Sequence, residues 1–271
     1  MLALAQGHKA DGAEFNRFGL FNQQSTGSGM EVSFRDLALE GQPIDLSRAA
    51  GWEARGNRVE FEDRRMRPFH DFGWMPAGKA GESFGTGSKG GIGGIIWRDE
   101  KPAYYASKVG PLSLDDELFA SGRIVFNGAG SDSGVYLGWF NSHWKTNKVS
   151  SDHDEGQRNH LAVLIEGPSQ IGHYFRAAYA TTKGEGVIEP SGPIIRPDGR
   201  IHRWSIRYSP QPQGHGQLTV RLDDDVQTLI VSEEHRKQRA AFDRFGLFNM
   251  QIGGHFVDIA LDDLSYTAKP K

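Results

Sequence analysis

The segment from Ser133 to Asn141 reads SGVYLGWFN and alternates in the way that is typical of a β-strand. Its period places Val135, Leu137 and Trp139 on one face. Successive side chains of a strand point to opposite sides of a sheet, whereas a helix repeats about every 3.6 residues. The segment therefore predicts a strand with these three apolar side chains on one face.

The same period of two recurs further along the chain, in residues 160–166, 202–208, 217–222 and 226–231. The last two segments flank Asp223–Asp225, which predicts a hairpin turn. Helical periodicity is nearly missing, and residues 232–241 are interpreted as a loop with at most one helical turn. About ten strands exceed what one open sheet usually holds, so we predict an all-β fold: a two-sheet antiparallel β-sandwich (jelly roll) with very little helix.

The composition excludes several classes of function. The 271 residues contain 31 Lys+Arg against 34 Asp+Glu, so no general positive charge favours nucleic acid. The sequence has no run of about 18 apolar residues, which a membrane-spanning helix needs, and residues 1–5 lack the features of a signal peptide. The sequence has no cysteine, which excludes disulfides, thiolate nucleophiles and cysteine-bound zinc.

Residues 2–37 are similar to residues 229–264 without a gap. The 36 aligned pairs contain 14 identities, and FNRFGLFN at 15–22 returns as FDRFGLFN at 242–249. We interpret this as duplication, with residues 1–40 as the closing strands of a preceding copy and residues 41–268 as one complete domain. The upstream copy then belongs to a longer parent chain. A single pseudo-symmetric domain is the alternative.

The closing segments resemble a known superfamily. Residues 242–249 and VDIALDDLSYT at 257–267 are similar to the last two strands of laminin-G-like domains, and residues 51–62 are similar to the start of such domains. On these motifs the chain resembles the concanavalin A-like lectin/glucanase superfamily, and within it an exported bacterial branch. The resemblance implies an extracellular or periplasmic location and a carbohydrate ligand on the concave sheet or its rim loops.

The leading hypothesis is therefore a carbohydrate-binding module of a larger exported protein. A flat aromatic ring matches the apolar face of a pyranose, and polar groups fix its hydroxyls. The expected ligand-binding residues are Trp74, Trp97, Arg98, Trp139, His143, Trp144, His160 and Arg176. Core packing is the alternative for the tryptophans, and a solvated rim of hydrogen-bonded side chains is the alternative for the histidines.

A polysaccharide-degrading enzyme, either a glycoside hydrolase or a lyase, is the second hypothesis. Residues 174–179 (YFRAAY) are similar to the Tyr-Phe-Lys-Ala-Gly-x-Tyr strand of jelly-roll alginate lyases, which implies catalytic roles for His173 and Tyr174. Antiparallel neighbours are expected to bring His160, Glu166 and His173 onto one face for acid/base work. The Glu-x-Asp-x-x-Glu strand of the superfamily's glucanases is missing, which argues against that chemistry.

A structural or adhesion spacer is the third hypothesis, because duplication suits it equally. No cofactor is specified by the sequence. Aspartate pairs or triplets at 115–116, 223–225 and 262–263 leave calcium open, since this ion takes about six to eight oxygen ligands. Tight turns also favour aspartate without any metal.

Overall fold

The computed structural model describes residues 7, 10–12, 14–21, 32, 34–45, 52–53, 55, 69–143, 159–167 and 172–270. The chain divides into two units, residues 1–33 and 34–271. In the first unit, the Ala10 and Asp11 amides donate to the Gly7 carbonyl at 2.8 and 3.0 Å, which forms a turn. The described residues of that unit contain no strand.

The second unit contains all the strands and helices that the structure describes. In chain order they are β1 (Ala38–Leu39), β2 (Gln42–Pro43), β3 (Asp71–Met75), α1 (Ala77–Phe84), β4 (Gly91–Trp97), β5 (Tyr104–Ser113), β6 (Leu118–Ala129), β7 (Ser133–Phe140), β8 (His160–Gly167), β9 (His173–Ala180), β10 (Gly186–Ile188), β11 (Ile194–Ile195), β12 (Ile201–Pro210), β13 (Gly216–Leu222), β14 (Asp225–Val231), α2 (Glu233–Gln238), β15 (Ala241–Asn249) and β16 (Phe256–Tyr266).

Two seven-stranded antiparallel sheets form the body of this unit, which confirms the predicted all-β sandwich. Sheet I has the order β10-β9-β8-β7-β15-β5, with β11 also paired to β9. Sheet II has the order β14-β13-β12-β6-β16-β4-β3. The predicted hairpin of β13 and β14 is present, with Leu222 opposite Asp225. Strands β1 and β2 form a separate two-stranded hairpin.

The main core lies between the inner faces of the two sheets. Val135, Leu137 and Trp139 of β7 are completely buried there, as their alternation predicts. Sheet II contributes Ile206 and Val220, which are also completely buried. Each such side chain contributes about 1.5–3 kcal/mol through the apolar area it removes from water.

A second apolar layer covers the outer face of sheet I, the face turned away from sheet II. Tyr136, Phe140, Leu164 and Phe248 are at most 1% exposed although they point away from the main core. The Tyr136 and Phe248 rings stack with centroids 4.8 Å apart. Strands β7 and β8 are therefore buried on both faces over most of their length.

The two helices are short, and the sequence predicted them incompletely. Helix α1 was not predicted; its Phe84 packs on the outer face of sheet II against Val125 and Ala260. Helix α2 is longer than the single turn predicted, because the Ser232 side chain accepts a hydrogen bond from the His235 amide at 3.1 Å and caps it. Neither helix, within the described ranges, has the length and apolar character to span a membrane.

The repeated motif occurs in two different environments. Phe15 and Phe18 are 89% and 78% exposed, whereas their counterparts Phe242 and Phe245 in β15 are 1% and 2% exposed. Strand β15 lies between β7 and β5. Gly246 is required there, because an added Cβ would lie 2.3 Å from the Tyr105 carbonyl oxygen. The duplication itself stays a prediction from the sequence.

Replacing Gly246 with alanine is expected to lower the free energy of unfolding by about 2 kcal/mol or more, because the new Cβ collides with the backbone of β5. The matched variant, Gly19→Ala, alters the same residue of the repeat at an exposed position, and we expect a change below about 0.5 kcal/mol. Urea denaturation followed by tryptophan fluorescence measures both. Equal effects would contradict the different environments of the two motifs.

Candidate functional site

Three of the predicted site residues lie together at one end of sheet I. Glu166 of β8 is directly opposite Tyr174 of β9, and Arg176 is opposite Leu164, one pair further along the ladder. Because side chains alternate along a strand, all three point to the outer face of the sheet. The pairing of β8 and β9 therefore creates a polar group at the margin of the second apolar layer.

Arginines on two sides hold the Glu166 carboxylate. Arg176 Nη2 donates to Glu166 Oε2, and Arg98 Nη1 donates to Glu166 Oε1 at 3.4 Å. Arg98 Nη1 also donates to Asp132 Oδ1, which lies in the turn before β7. We call these residues, together with Tyr174, the charged end: Arg98, Asp132, Glu166, Tyr174 and Arg176. Two positive and two negative charges make the charged end neutral as a whole.

The charged end is mostly buried but open at one side. The side chains of Arg98 and Glu166 are 6% and 16% exposed, whereas that of Asp132 is 70% exposed. Gly254 makes room for the arginine, because an added Cβ would lie 2.8 Å from Arg98 Cδ. The guanidinium group is thus held in place by close packing as well as by its two carboxylate partners.

Two donors of the charged end remain unused. The buried Nε atoms of Arg98 and Arg176 have no hydrogen-bond partner within the described residues. Arg176 Nη1 donates to the Glu189 carbonyl at 3.2 Å, so a second hydrogen bond holds its guanidinium group in place. Buried polar groups in proteins are nearly always paired, and an unpaired one calls for an explanation such as a ligand or a bound water.

His173 lies on the opposite face of the sheet from Tyr174. It is completely buried, and its Nε2 is 2.8 Å from Ser133 Oγ, which in turn donates to the Gly130 carbonyl at 2.8 Å. Its ring meets Phe126 edge-on at 4.7 Å, and burial lowers the pKa of His173 to about 4. The expectation that His160, Glu166 and His173 share one face is wrong for His173, because neighbouring residues of a strand point to opposite sides.

The predicted aromatic platforms are scattered. Trp139 belongs to the main core, where its Nε1 donates to the Thr267 carbonyl at 3.0 Å, so its ring faces no ligand at the surface. Trp97 is 8% exposed and stacks on His255 at 5.9 Å. Trp74 is 65% exposed, but it lies on β3 at the edge of sheet II.

The remaining predicted contacts are also separate from the charged end. His160 is 4% exposed and packs against Tyr136 at the other end of β8. The side chain of His143 is 88% exposed, and its Nδ1 is 3.7 Å from Asp243 Oδ2. Trp144 lies outside the described residues. The structure therefore brings together Arg98, Arg176, Glu166 and Tyr174 from the predicted set, and not the others.

Asp132 is the member of the charged end that sequence reasoning missed. It sits in the turn between β6 and β7 with a φ of 52°, in the left-handed region. Aspartate tolerates this conformation, so its presence in a turn has an ordinary explanation. Its partner Arg98 is 34 positions away in the chain, and no local pattern indicates the pair.

The aspartate clusters that left calcium open have partners within the protein. Asp116 Oδ2 accepts hydrogen bonds from the Ser113 amide and hydroxyl at 2.7 and 3.0 Å. Asp262 and Asp263 both pair with Arg123 at 2.8 Å, and Asp223 Oδ2 is 2.7 Å from His202 Nδ1. Among the described residues, no three acidic or histidine side chains converge as metal ligands would.

Comparisons with known proteins give matches among solved structures alone, since no protein-family model and no curated protein matches the sequence. The Emp47p carbohydrate recognition domain is 13% identical, with a TM-score of 0.38 over 67% of this chain and 84% of that one. Endo-β-1,4-glucuronan lyase from the fungus Trichoderma reesei is 12% identical, with a TM-score of 0.40 over 66% and 82%. Family 7 alginate lyase A1-II′ is 12% identical, with a TM-score of 0.42 over 74% and 92%.

Acidification is expected to destabilise the protein through His173. In the unfolded chain the His173 imidazole takes up a proton near pH 6.5, whereas in the folded protein it does so only near pH 4. The contribution of neutral His173 to the free energy of unfolding is therefore fully present above pH 6.5 and is lost as the pH falls toward 4. From about pH 7 to pH 5 the free energy of unfolding should drop by about 2 kcal/mol on account of this residue. Urea denaturation at several pH values measures the drop.

His173→Phe should remove this part of the pH dependence, whereas His143→Gln, a change at an exposed histidine, should retain it. The comparison of the two variants isolates His173 from the other histidines. An unchanged pH profile in His173→Phe would show that this imidazole is protonated in the folded protein as easily as in the unfolded chain.

Proposed function

We propose that the chain is a carbohydrate-binding β-sandwich module and that it binds its glycan at the charged end of sheet I. The observation that carries the proposal is the placement of Glu166, Tyr174 and Arg176 side by side, with Arg98, at the margin of an otherwise buried face. The closing-strand motifs of the sequence favour a carbohydrate as the ligand class. The proposal includes a location outside the cytoplasm.

The chemistry of the charged end suits sugar hydroxyls. A hydroxyl both donates and accepts, and here it meets a carboxylate acceptor, two guanidinium groups and a phenol. The arginine forks are already fixed by ion pairs, so a ligand does not have to order them.

The same geometry favours binding over catalysis. His173, the predicted base, is buried on the other face of the sheet, so it is not next to Tyr174 in space as the lyase-like motif implies. Both oxygens of Glu166 accept hydrogen bonds from arginines. These facts support a module that holds a glycan, and they give no assembled pair for proton transfer.

The charged end also argues against a pure spacer. A buried ion pair often adds little to stability, because taking charges out of water costs about as much as their attraction returns. A spacer would gain as much from apolar residues at these positions. Arg98 and Glu166 are largely buried, and apolar residues in their place could not form hydrogen bonds with a ligand. Recognition of a polar ligand therefore explains these two residues better.

The direct test is binding of the full chain to a glycan array, followed by calorimetry with the best ligand. Tyr174→Phe is expected to weaken binding roughly fivefold, since it removes one hydrogen bond of about 1 kcal/mol and no packing. Tyr105→Phe, which removes the same hydroxyl from a partly exposed tyrosine of β5, is the matched control and should bind as wild type does.

Other outcomes would favour the other hypotheses. Absence of binding to every glycan would leave the spacer as the better account. Release of reducing sugar, or of an unsaturated uronate that absorbs in the ultraviolet, would show an enzyme if Glu166→Gln abolished it. Equal losses in Tyr174→Phe and Tyr105→Phe would place the glycan away from the charged end.

A further inference from the structure

The outer face of sheet II carries an open group of arginines. Helix α1 packs over β6 and β16 of this face, and Arg203, Arg207 and Arg221 on β12 and β13 are exposed. Arg203 and Arg207 flank Ser205 on the same strand, and Arg221 is directly opposite Ser205. We call these three residues the arginine trio.

The strand register allows the three guanidinium groups to meet over one point. Residues two apart on a strand are about 6.8 Å apart, and directly paired residues of antiparallel strands are about 5 Å apart. An extended arginine side chain spans the first of these distances. The trio can therefore converge on a single anionic group above the Ser205 hydroxyl, with each guanidinium approaching from a different side.

The positive charge of the trio is only partly neutralised within the part of the chain that the structure describes: burial raises the pKa of Asp223, but hydrogen bonds from His202 and the Arg203 amide and the charges of His202 and Arg203 lower it overall. None of the three arginines forms an ion pair with a described residue. Arg203 is moreover directly opposite Arg123, another arginine, which is unfavourable in a sheet. Arg123 differs from the trio because Asp262 and Asp263 hold it at 2.8 Å.

We infer that the arginine trio is a second binding surface, separate from the charged end, and that it takes an acidic polysaccharide through a sugar carboxylate. Phe119, which is 44% exposed and directly opposite Arg207, offers an apolar face to the adjoining ring. Ser121 and Thr219 border the trio with hydroxyl groups that pair with sugar hydroxyls. The surface thus combines one anion site with neighbours suited to uncharged parts of a sugar.

Acidic groups on both sides of the trio limit the positive surface to a site for one anionic group. Asp223–Asp225 form the turn next to Arg221, and Asp262 and Asp263 lie beyond Arg123. A nucleic acid backbone needs a continuous row of cations, because it carries a phosphate at every nucleotide. A polyuronate also carries one charge on each sugar, but it offers more than its charges: one carboxylate can lie over the trio while hydroxyls and an apolar ring face of the same chain meet Ser121, Thr219 and Phe119.

The experiment is affinity electrophoresis of the full chain in gels that contain polygalacturonate, an unsubstituted β-glucan or no polymer. Wild type should be retarded by polygalacturonate, and less so as NaCl is raised. Arg207→Gln and Arg221→Gln should each weaken this binding about fivefold, as loss of one exposed charge interaction does. Lys108→Gln removes the same charge from an exposed position on sheet I and should leave it unchanged.

Two results would overturn the inference. One is equal retardation of wild type and an Arg203→Gln/Arg207→Gln/Arg221→Gln variant that melts at the wild-type temperature. The other is tighter binding of wild type to a DNA oligonucleotide than to polygalacturonate. Tyr174→Phe distinguishes the two proposed surfaces, because it changes the charged end and not the trio. Retardation by polygalacturonate should be the same in this variant as in wild type, whether or not the charged end binds a glycan.

Discussion

The structure depends on one constraint, which is that the central strands of sheet I must be apolar on both faces. Strand β8 buries Leu161, Val163 and Ile165 against sheet II, and it buries Ala162 and Leu164 on the other side. A ligand can therefore reach the outer face of this sheet only where the apolar layer ends. Glu166 is the first polar residue after that layer, and the pairing with β9 places Tyr174 and Arg176 beside it.

The two proposed surfaces differ in charge and therefore in what they recognise. The charged end is neutral as a whole and mostly buried, so it offers fixed hydrogen-bond geometry to uncharged hydroxyls. The arginine trio is exposed and forms no ion pair with a described residue, so it attracts an anion from solution. A polysaccharide that carries both hydroxyls and carboxylates has groups for each surface. The two surfaces lie on different sheets.

Period-two alternation was sufficient to predict β7, β8, β12, β13 and β14 and their part of the main core, because burial on one face leaves a clear pattern. It predicted the inward positions of Val135, Leu137 and Trp139 correctly. It did not reveal the second layer, since Tyr136 and Phe140 at the alternate positions are compatible with solvent until something covers them. The candidate site was predicted in part. The pairing of β8 and β9 does bring Glu166 and Tyr174 together. His173 was wrongly assigned to the same face, because neighbouring residues of a strand point to opposite sides of the sheet. Asp132 was missed because its role comes from a long-range pairing with Arg98.

Hydrogen–deuterium exchange of the full chain, with and without its best glycan ligand, tests the central claim most directly. If sheet I is buried on both faces, the amides of residues 161–164 should exchange only when the whole domain unfolds. The ligand should then slow exchange in residues 130–134 and 172–176, which border the charged end. Fast exchange in residues 161–164, with ligand protection centred on residues 136–140, would contradict the account and show that the middle of the face is open.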